Sequence, residues 1–559
     1  MKVRQKAICN AKIYTGGGTF CQALLIEGGR IVMAGASREI LDAAGTGAEK
    51  IDAAGSLVLP AFNDSHLHLL WYGRRQSHFD GSGASSVEDV ITLGRELIRR
   101  NNIKSGTWVQ GAAVNPDLFT GEKRDPTRDD LDKISREHPV IVSRHCGHTV
   151  YCNSLALKMA GLTDSSPDVE GGTIERDPSG RLSGVLRESA HTIARKAVPP
   201  LSRAEKKDFI KTAFTHALSL GISAAGSHDS DGPDFDEILG IYRELYQEGG
   251  ERLRVTMQCG ISGSEEILKS YAKRGLKSGD ILYNDAARGP LLKMGPVKLF
   301  IDGTLGGHTA RMRHPYRDKT GARGIKMMES EAFERLVLQA QAFNLQTITH
   351  AIGDAAIGTV ISALEKAALR ENKNHPQTAN RLRHGIVHCQ ITTPQDLERI
   401  AKGHILLFVQ PVFLADDLHI LESRVGPKLA ASSYAWGSME TLGIPASYST
   451  DAPVCPLNPL LNIAWAVLRR QSGGGAEAGE KSFNPAERVT VQTAVDASTA
   501  AAAYSAFSEQ YAGRITPGFF ADLAFIDRDI FTIPPDGICN AKVIRTMLAG
   551  ETVWENAPA

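Results

Sequence analysis

Apolar, β-prone runs recur along most of this chain, and several intervals between them carry the 3.6-residue periodicity of amphipathic helices. Eight runs stand out: "SLVLPAFNDSHLH" at 56, "ISAAGS" at 222, "RLRVTMQCG" at 252, "VKLFID" at 297, "LQTITH" at 345, "HGIVHCQ" at 384, "HILLFVQ" at 404 and "IPASYSTD" at 444. "EAFERLVLQAQAF" and "AAIGTVISALEKAALREN" are among the helical stretches that separate them. Strands that are apolar almost throughout are buried on both faces, the mark of a parallel sheet covered by helices. Eight of them alternating with helices predict an α/β fold, a (β/α)₈ TIM-like barrel. An open doubly wound sheet is the alternative, but no G-x-G-x-x-G opens a helix after the first strand.

The two ends depart from this rhythm and match each other. "KAICNAKIYTGGG", "CQALLIEGGRIVMAG" and "IDAAGSLVL" near the start, and "ADLAFIDRD" and "AKVIRTMLAGETVWE" near the end, read as short strands joined by glycine turns. They predict a small β-sandwich domain composed of residues 1–58 and 505–559, with the barrel over 59–504. Roughly 150 residues separate the first barrel strand from the second, far beyond an ordinary βα loop. That interval holds a hairpin pattern, "GGTIERDPSGRLSGVLRE", turning at Pro178-Ser179-Gly180, and the helical patterns "SVEDVITLGRELIRRNN" and "NSLALKMAGL". It predicts an inserted α+β subdomain over approximately 75–205, leaving the barrel at the C-terminal end of its first strand, where barrel enzymes place their active sites. A lid or substrate-selecting wall is the expected role, with a scaffold for oligomer contacts as the alternative. The glycine cluster "QSGGGAEAGEK" at 471–481 reads as a flexible loop.

Composition narrows the class. A chain of 559 residues with 42% hydrophobic and 23% charged residues is that of an ordinary soluble globular protein. Lys plus Arg equals Asp plus Glu at 63 each, so no basic excess points to nucleic acid or an anionic membrane surface. The opening "MKVRQKAICNAKIYTGG" has no apolar h-region, and no apolar run is long enough to cross a bilayer. Eight cysteines without a C-x-x-C pair suggest free thiols in a reducing compartment. The expected location is the cytoplasm, and the expected assembly a homodimer.

The candidate chemistry lies at the strand ends. In "DSHLHLLWYG", alternation puts His66 and His68 on one face of a strand and Leu67 on the other, and two adjacent imidazoles suit a divalent cation. Further along, the fourth run carries Lys298, the fifth ends in His350, the sixth holds His388 and the eighth runs into Asp451. Each alone is an ordinary cap or surface residue; six on one barrel rim indicate a metal site.

These residues, in "DSHLHLLWYG", "VKLFIDGTLGGHTAR", "HAIGDAA", "HGIVHCQ" and "STDAPV", resemble the amidohydrolase superfamily of metal-dependent hydrolases, in the branch that contains N-substituted formamide deformylase. "GHTVYCNSLAL", "RDPSGRLSGVLRE", the "SHD" at 227–229 and "GRITPGFFADLAFID" extend the resemblance over nearly the whole chain. It implies that His66, His68 and Asp451 hold one metal, that His350 and His388 hold a second, and that Lys298, carboxylated by carbon dioxide, bridges the two. It also makes His148, Asn153, Arg187 and His228 candidate substrate contacts, with hydrogen-bonded structural roles the equal alternative for His148, Asn153 and Arg187. Two positions depart from the branch. Val387-His388-Cys389 stands where Glu-His-Ala is usual, removing an acidic neighbour of His388, and His308 stands in "LGGHTAR" as a surface-loop residue first and an extra potential ligand or substrate contact second.

Water on one or two divalent ions ionises near neutrality, against about 15.7 in bulk, and can attack a carbonyl or C=N carbon. Asp451, as general acid and base, can accept the water's proton and pass it to a leaving nitrogen. Lys298 must be a neutral amine to become a carbamate, which burial favours. The implied activity is hydrolysis of a small-molecule C–N bond other than a peptide bond, such as an amide, an N-substituted formamide or a cyclic amide. A mononuclear deaminase of a heterocycle is the alternative, although "HAIGDAA" lacks the His-x-x-Glu helix motif. A non-catalytic scaffold is a remote third, since none of the six ligand positions is missing. Zinc is the expected metal; manganese, iron or cobalt also fit these ligands.

Overall fold

A computed structural model describes residues 5–145, 148–250, 252–374, 380–470 and 482–556, so the glycine cluster at 471–481 lies outside the described residues. The chain divides into two compact units, Met1–Leu69 with Ala213–Ala559, and Leu70–Thr212.

Eight parallel strands form a nearly closed barrel in the first unit: β1 (Phe62–Leu67), β2 (Ile222–Asp231), β3 (Arg254–Gly260), β4 (Gly289–Phe300), β5 (Thr347–Ala351), β6 (Gly385–His388), β7 (Leu406–Val409) and β8 (Ala446–Tyr448). Every predicted run is present, and each strand pairs in parallel with the next. The short strands are buried at nearly every position because helices cover the sheet. The helix Ser330–Ala342 buries Phe333, Leu336, Val337 and Ala340, the i, i+3, i+4, i+7 spacing that its sequence shows. Register sets the rim: Lys298 lies opposite Ile348, Phe300 opposite His350, and Ala351 opposite His388.

β1 and β8 meet through side chains and the segments that follow them. Ser65 Oγ donates to the Tyr448 carbonyl at 3.0 Å, and the backbone N–H groups of Asp451 and His68 donate to His66 and Ala452 carbonyls at 2.9 Å each. The seam that closes the ring therefore carries three of the candidate ligands.

The terminal segments form two sheets. One has the order Arg30–Gly35, Ala23–Glu27, Gln5–Cys9, Glu49–Asp52; the other runs Glu551–Glu555, Val543–Leu548, Leu523–Ile526, Leu57–Pro60, Lys12–Gly16, Thr19–Cys21. Ile8, Leu24, Ile26 and Ile31 from the first share a core with Ile13, Val58, Leu523, Phe525 and Met547 from the second. The apolar run at 56–68 is thus two strands rather than one. Leu57–Pro60 pairs antiparallel with Leu523–Ile526, and only Phe62–Leu67 enters the barrel. Both halves are buried throughout, so periodicity gives no sign of the change of partner at Ala61.

The second unit has a six-stranded sheet in the order Gly172–Arg176, Leu182–Glu188, Thr149–Cys152, Val140–Arg144, Val109–Val114, Phe79–Asp80. Its first two strands are the predicted hairpin. The predicted helix is Val87–Asn101, which starts where the Ser86 side chain accepts from the Asp89 N–H and packs Val87, Val90, Ile91 and Leu97 against Val109, Val140 and Tyr151. Among the described residues no helix is long and apolar enough to cross a membrane, and Cys9, Cys21, Cys152, Cys259, Cys389, Cys455 and Cys539 are free thiols.

Candidate metal centre

The His66, His68 and Asp451 donor atoms all lie within 4.8 Å of one another. Asp451 Oδ1 is 3.4 Å from His66 Nε2 and 3.1 Å from His68 Nε2. His388 joins this group from β6, its ring centroid 6.2 Å from that of His66 and 4.5 Å from that of His350. Lys298 is 2% exposed, and its Nζ has no hydrogen-bond partner among the described residues.

Hydrogen bonds on the far side of each ring fix which nitrogen turns inward. His66 Nδ1 donates to Gln258 Oε1 (2.5 Å), His68 Nδ1 to the His228 carbonyl (2.8 Å) and His388 Nδ1 to Gln410 Oε1 (2.8 Å), which turns Nε2 of all three inward, that of His68 against Asp451 Oδ1. His350 is reversed: its Nε2 donates to the Gly303 carbonyl at 3.0 Å, leaving Nδ1.

Electrostatics favour neutral ligands. Burial, reinforced by the Lys298 ammonium, pushes His350 down to about 3 and holds His66 and His388 well below the usual imidazole range. His68 alone is raised: burial opposes its charge, but the Asp451 carboxylate bonded to it overcomes that opposition. Burial also lowers Lys298 to about 7, against the pull of Asp451. A buried lysine with a lowered pKa and no hydrogen-bond partner among the described residues, beside an aspartate and three imidazoles held neutral, is a donor set that fits a divalent cation.

The backbone is unusual where these groups sit. His388, Cys389 and Asp451 have φ of 75°, 51° and 55°, a left-handed region that costs a non-glycine residue on the order of 1–3 kcal/mol. Asp64, buried beneath them, steadies this end of β8. It accepts from Thr450 N at 3.1 Å, Thr450 Oγ1 at 2.5 Å and His66 N at 3.2 Å, while burial raises its carboxyl to about 7. Asp302 does the same beside His350, accepting from the backbone of Arg311, Ile352 and Gly353 at 2.8 to 3.1 Å.

The other sequence candidates separate into groups. The His228 ring lies 5.3 Å from that of His68 and 5.9 Å from that of Phe300, with neither nitrogen paired among the described residues. His308 Nε2 lies 3.0 Å from Asp318 Oδ2, a hydrogen-bond partner within its own loop. In the second unit, Asn153 is fully buried with its amide committed to backbone. Its Oδ1 accepts from Val140 and Ala156, and its Nδ2 donates to Ser135 and His138. Arg187 is engaged by Glu175 and Asp125, and the exposed His148 faces Glu188 at 3.2 Å.

At the departure from the usual strand-6 pattern, Val387 packs with Ile348, Leu406 and Phe408, and the support for His388 comes from Gln410 instead. Burial pushes the neighbouring Cys389 thiol up, away from a ligating thiolate. Sequence reasoning missed Gln258, Gln410, Asp64 and Asp302. The signal available was a polar residue closing an apolar strand, as in "VTMQCG" and "LLFVQP".

A model of the amidohydrolase family matches residues 49–554. YtcJ of Bacillus subtilis, which carries the name amidohydrolase, is 29% identical over 542 residues, 97% of this chain and 97% of that protein. The N-substituted formamide deformylase of Arthrobacter pascens is 26% identical over 568 residues, 99% of each chain. A crystal structure of an uncharacterized metal-dependent hydrolase from Pyrococcus furiosus aligns over 94% of this chain and 100% of its own, with a TM-score of 0.74 and 28% identity.

Proposed function

Because this chain belongs to the amidohydrolase family, we propose that it hydrolyses the C–N bond of a small amide, such as an N-substituted formamide or cyclic amide, at a centre of two divalent ions. Family and neighbours make it a hydrolase acting on C–N bonds other than peptide bonds. The observation that carries the finer reading is the inward convergence of four oriented imidazoles, Asp451 and an unpartnered buried lysine.

His66, His68 and Asp451 would hold one ion, His350 and His388 the other, and Lys298 as a carbamate would bridge them; zinc is the metal of choice. Such ions supply a water ionised near neutrality and a Lewis acid for the substrate carbonyl. Asp451, the only carboxylate of the set, accepts the water's proton and returns it to the leaving nitrogen. His68 Nε2 and Asp451 Oδ1, 3.1 Å apart, are close enough to share one ion. The neutral Lys298 amine is the form that takes up carbon dioxide, and burial provides it.

A one-metal aminohydrolase is the second reading. It is favoured by one observation: among the described residues, only His66, His68 and Asp451 form a tight His/Cys/Asp/Glu cluster. Against it, Asp354, the first carboxylate after His350, is turned away to accept from the Arg313 backbone at 2.9 Å. Metal content per chain, measured alongside hydrolysis of N-substituted formamides and cyclic amides, tests both. Two ions and amide turnover are expected; one ion with deamination supports the second reading, and a metal-free inactive chain rejects both.

A further inference from the structure

Two of the three barrel strands that supply no ligand end near a glutamine whose amide is fixed in one orientation. Gln258, on β3, donates from Nε2 to the Ser65 carbonyl at 2.8 Å. Gln410, immediately after β7, donates from Nε2 to the Phe408 carbonyl at 2.9 Å and to Ser449 Oγ at 2.7 Å. Gln258 and Gln410 are each 2% exposed. With the NH₂ group anchored, only the amide oxygen remains to face a ring nitrogen, so Oε1 accepts from Nδ1–H of His66 and of His388. Room for the first amide is built into β2: a Cβ at Gly226 would stand 2.4 Å from Gln258 Nε2 and 2.5 Å from the Ser65 carbonyl oxygen.

We infer that Gln258 and Gln410 are positioning residues for the metal. Each fixes one tautomer of a ligand imidazole, and as neutral acceptors they leave those rings less electron-rich than the carboxylates that commonly hold metal-ligating histidines. A carboxylate in either place would also add a buried negative charge. The two amides orient the ligands without that charge, so the cation keeps more of its pull on a substrate carbonyl. This inference rests on the metal-centre reading above.

The test uses the full chain with Gln258→Met, Gln410→Met and Gln410→Glu. Methionine matches the length of glutamine with only a weak thioether acceptor; glutamate keeps a strong acceptor and adds charge. Zinc affinity is read by competition with a chelator, ligand geometry by the visible spectrum of the cobalt-loaded protein, and folding by circular dichroism. Each Met variant should bind zinc about 10- to 100-fold more weakly, with an altered cobalt spectrum and unchanged circular dichroism. Gln410→Glu should bind at least as tightly as wild type. Folded Met variants within about twofold of wild type would overturn the inference. So would a Gln410→Glu protein as weak as Gln410→Met. Should a Met variant not fold, the Glu variant decides alone, supporting the inference at wild-type affinity or above and overturning it below. A wild-type chain that takes up no zinc overturns the hydrolase reading too; a zinc-binding wild type with unaffected Met variants overturns this inference only.

Discussion

Asp451 approaches both His66 and His68 with a single oxygen, from a left-handed backbone that its neighbours must hold in place. The Asp451→Asn variant keeps the shape and an oxygen donor but loses the base. Metal should stay largely bound while kcat falls by about 10² to 10⁴, the range for removing general acid–base catalysis. Wild-type turnover at full metal occupancy would end Asp451's role as proton carrier. Lys298 gives a prediction with a sign. Burial lowers its pKa to about 7, so the neutral amine that takes up carbon dioxide gains population as pH rises through that value and loses it below. Bicarbonate should therefore speed reconstitution of the metal-free protein several-fold more at about pH 8 than at about pH 6. The Lys298→Ala protein should show no response to bicarbonate at either pH. A wild type indifferent to bicarbonate at both would make the lysine structural.

At the scale of elements, single buried polar side chains hold segments together. The helix Ser154–Met159 in the second unit starts from Asn153, whose amide also joins Val140, Ser135 and His138. Asn153→Ala removes the cap and leaves buried donors and acceptors unpaired, which should cost about 2–4 kcal/mol. Chemical denaturation of the full chain measures it, and KM at a temperature where the variant stays folded should not move. A raised KM with unchanged stability would instead make Asn153 the substrate contact that the family resemblance implies. In the barrel, the seam between β1 and β8 depends on Asp64, so ring closure and ligand placement share one buried carboxylate.

At the scale of the whole molecule, the candidate ligands come from five strands around one rim, and no unfolded chain would present them together. Metal binding should therefore stabilise the native state. Free zinc about a hundredfold above its Kd should add about 2.7 kcal/mol, visible in scanning calorimetry, and the His66→Ala/His68→Ala double variant should lose most of that gain. An unchanged transition on adding zinc to metal-free wild type would count against the centre.

The sequence by itself determined the eight strands, the barrel they build and the residue types on its rim. Each depends on a local property: apolar runs report burial, and imidazole, amine and carboxylate declare their chemistry without a partner. What only the tertiary structure decided is who meets whom. Gln258 orients His66 from 192 residues away, and an amide at a strand end has no distinguishing feature until that partner is in place. The split of the run at Ala61 between two sheets, the turning of Asn153 and Arg187 to structural partners, and the support of His388 by Gln410 arise the same way. Periodicity records that a side chain is buried; the distant contact that buries it belongs to the fold.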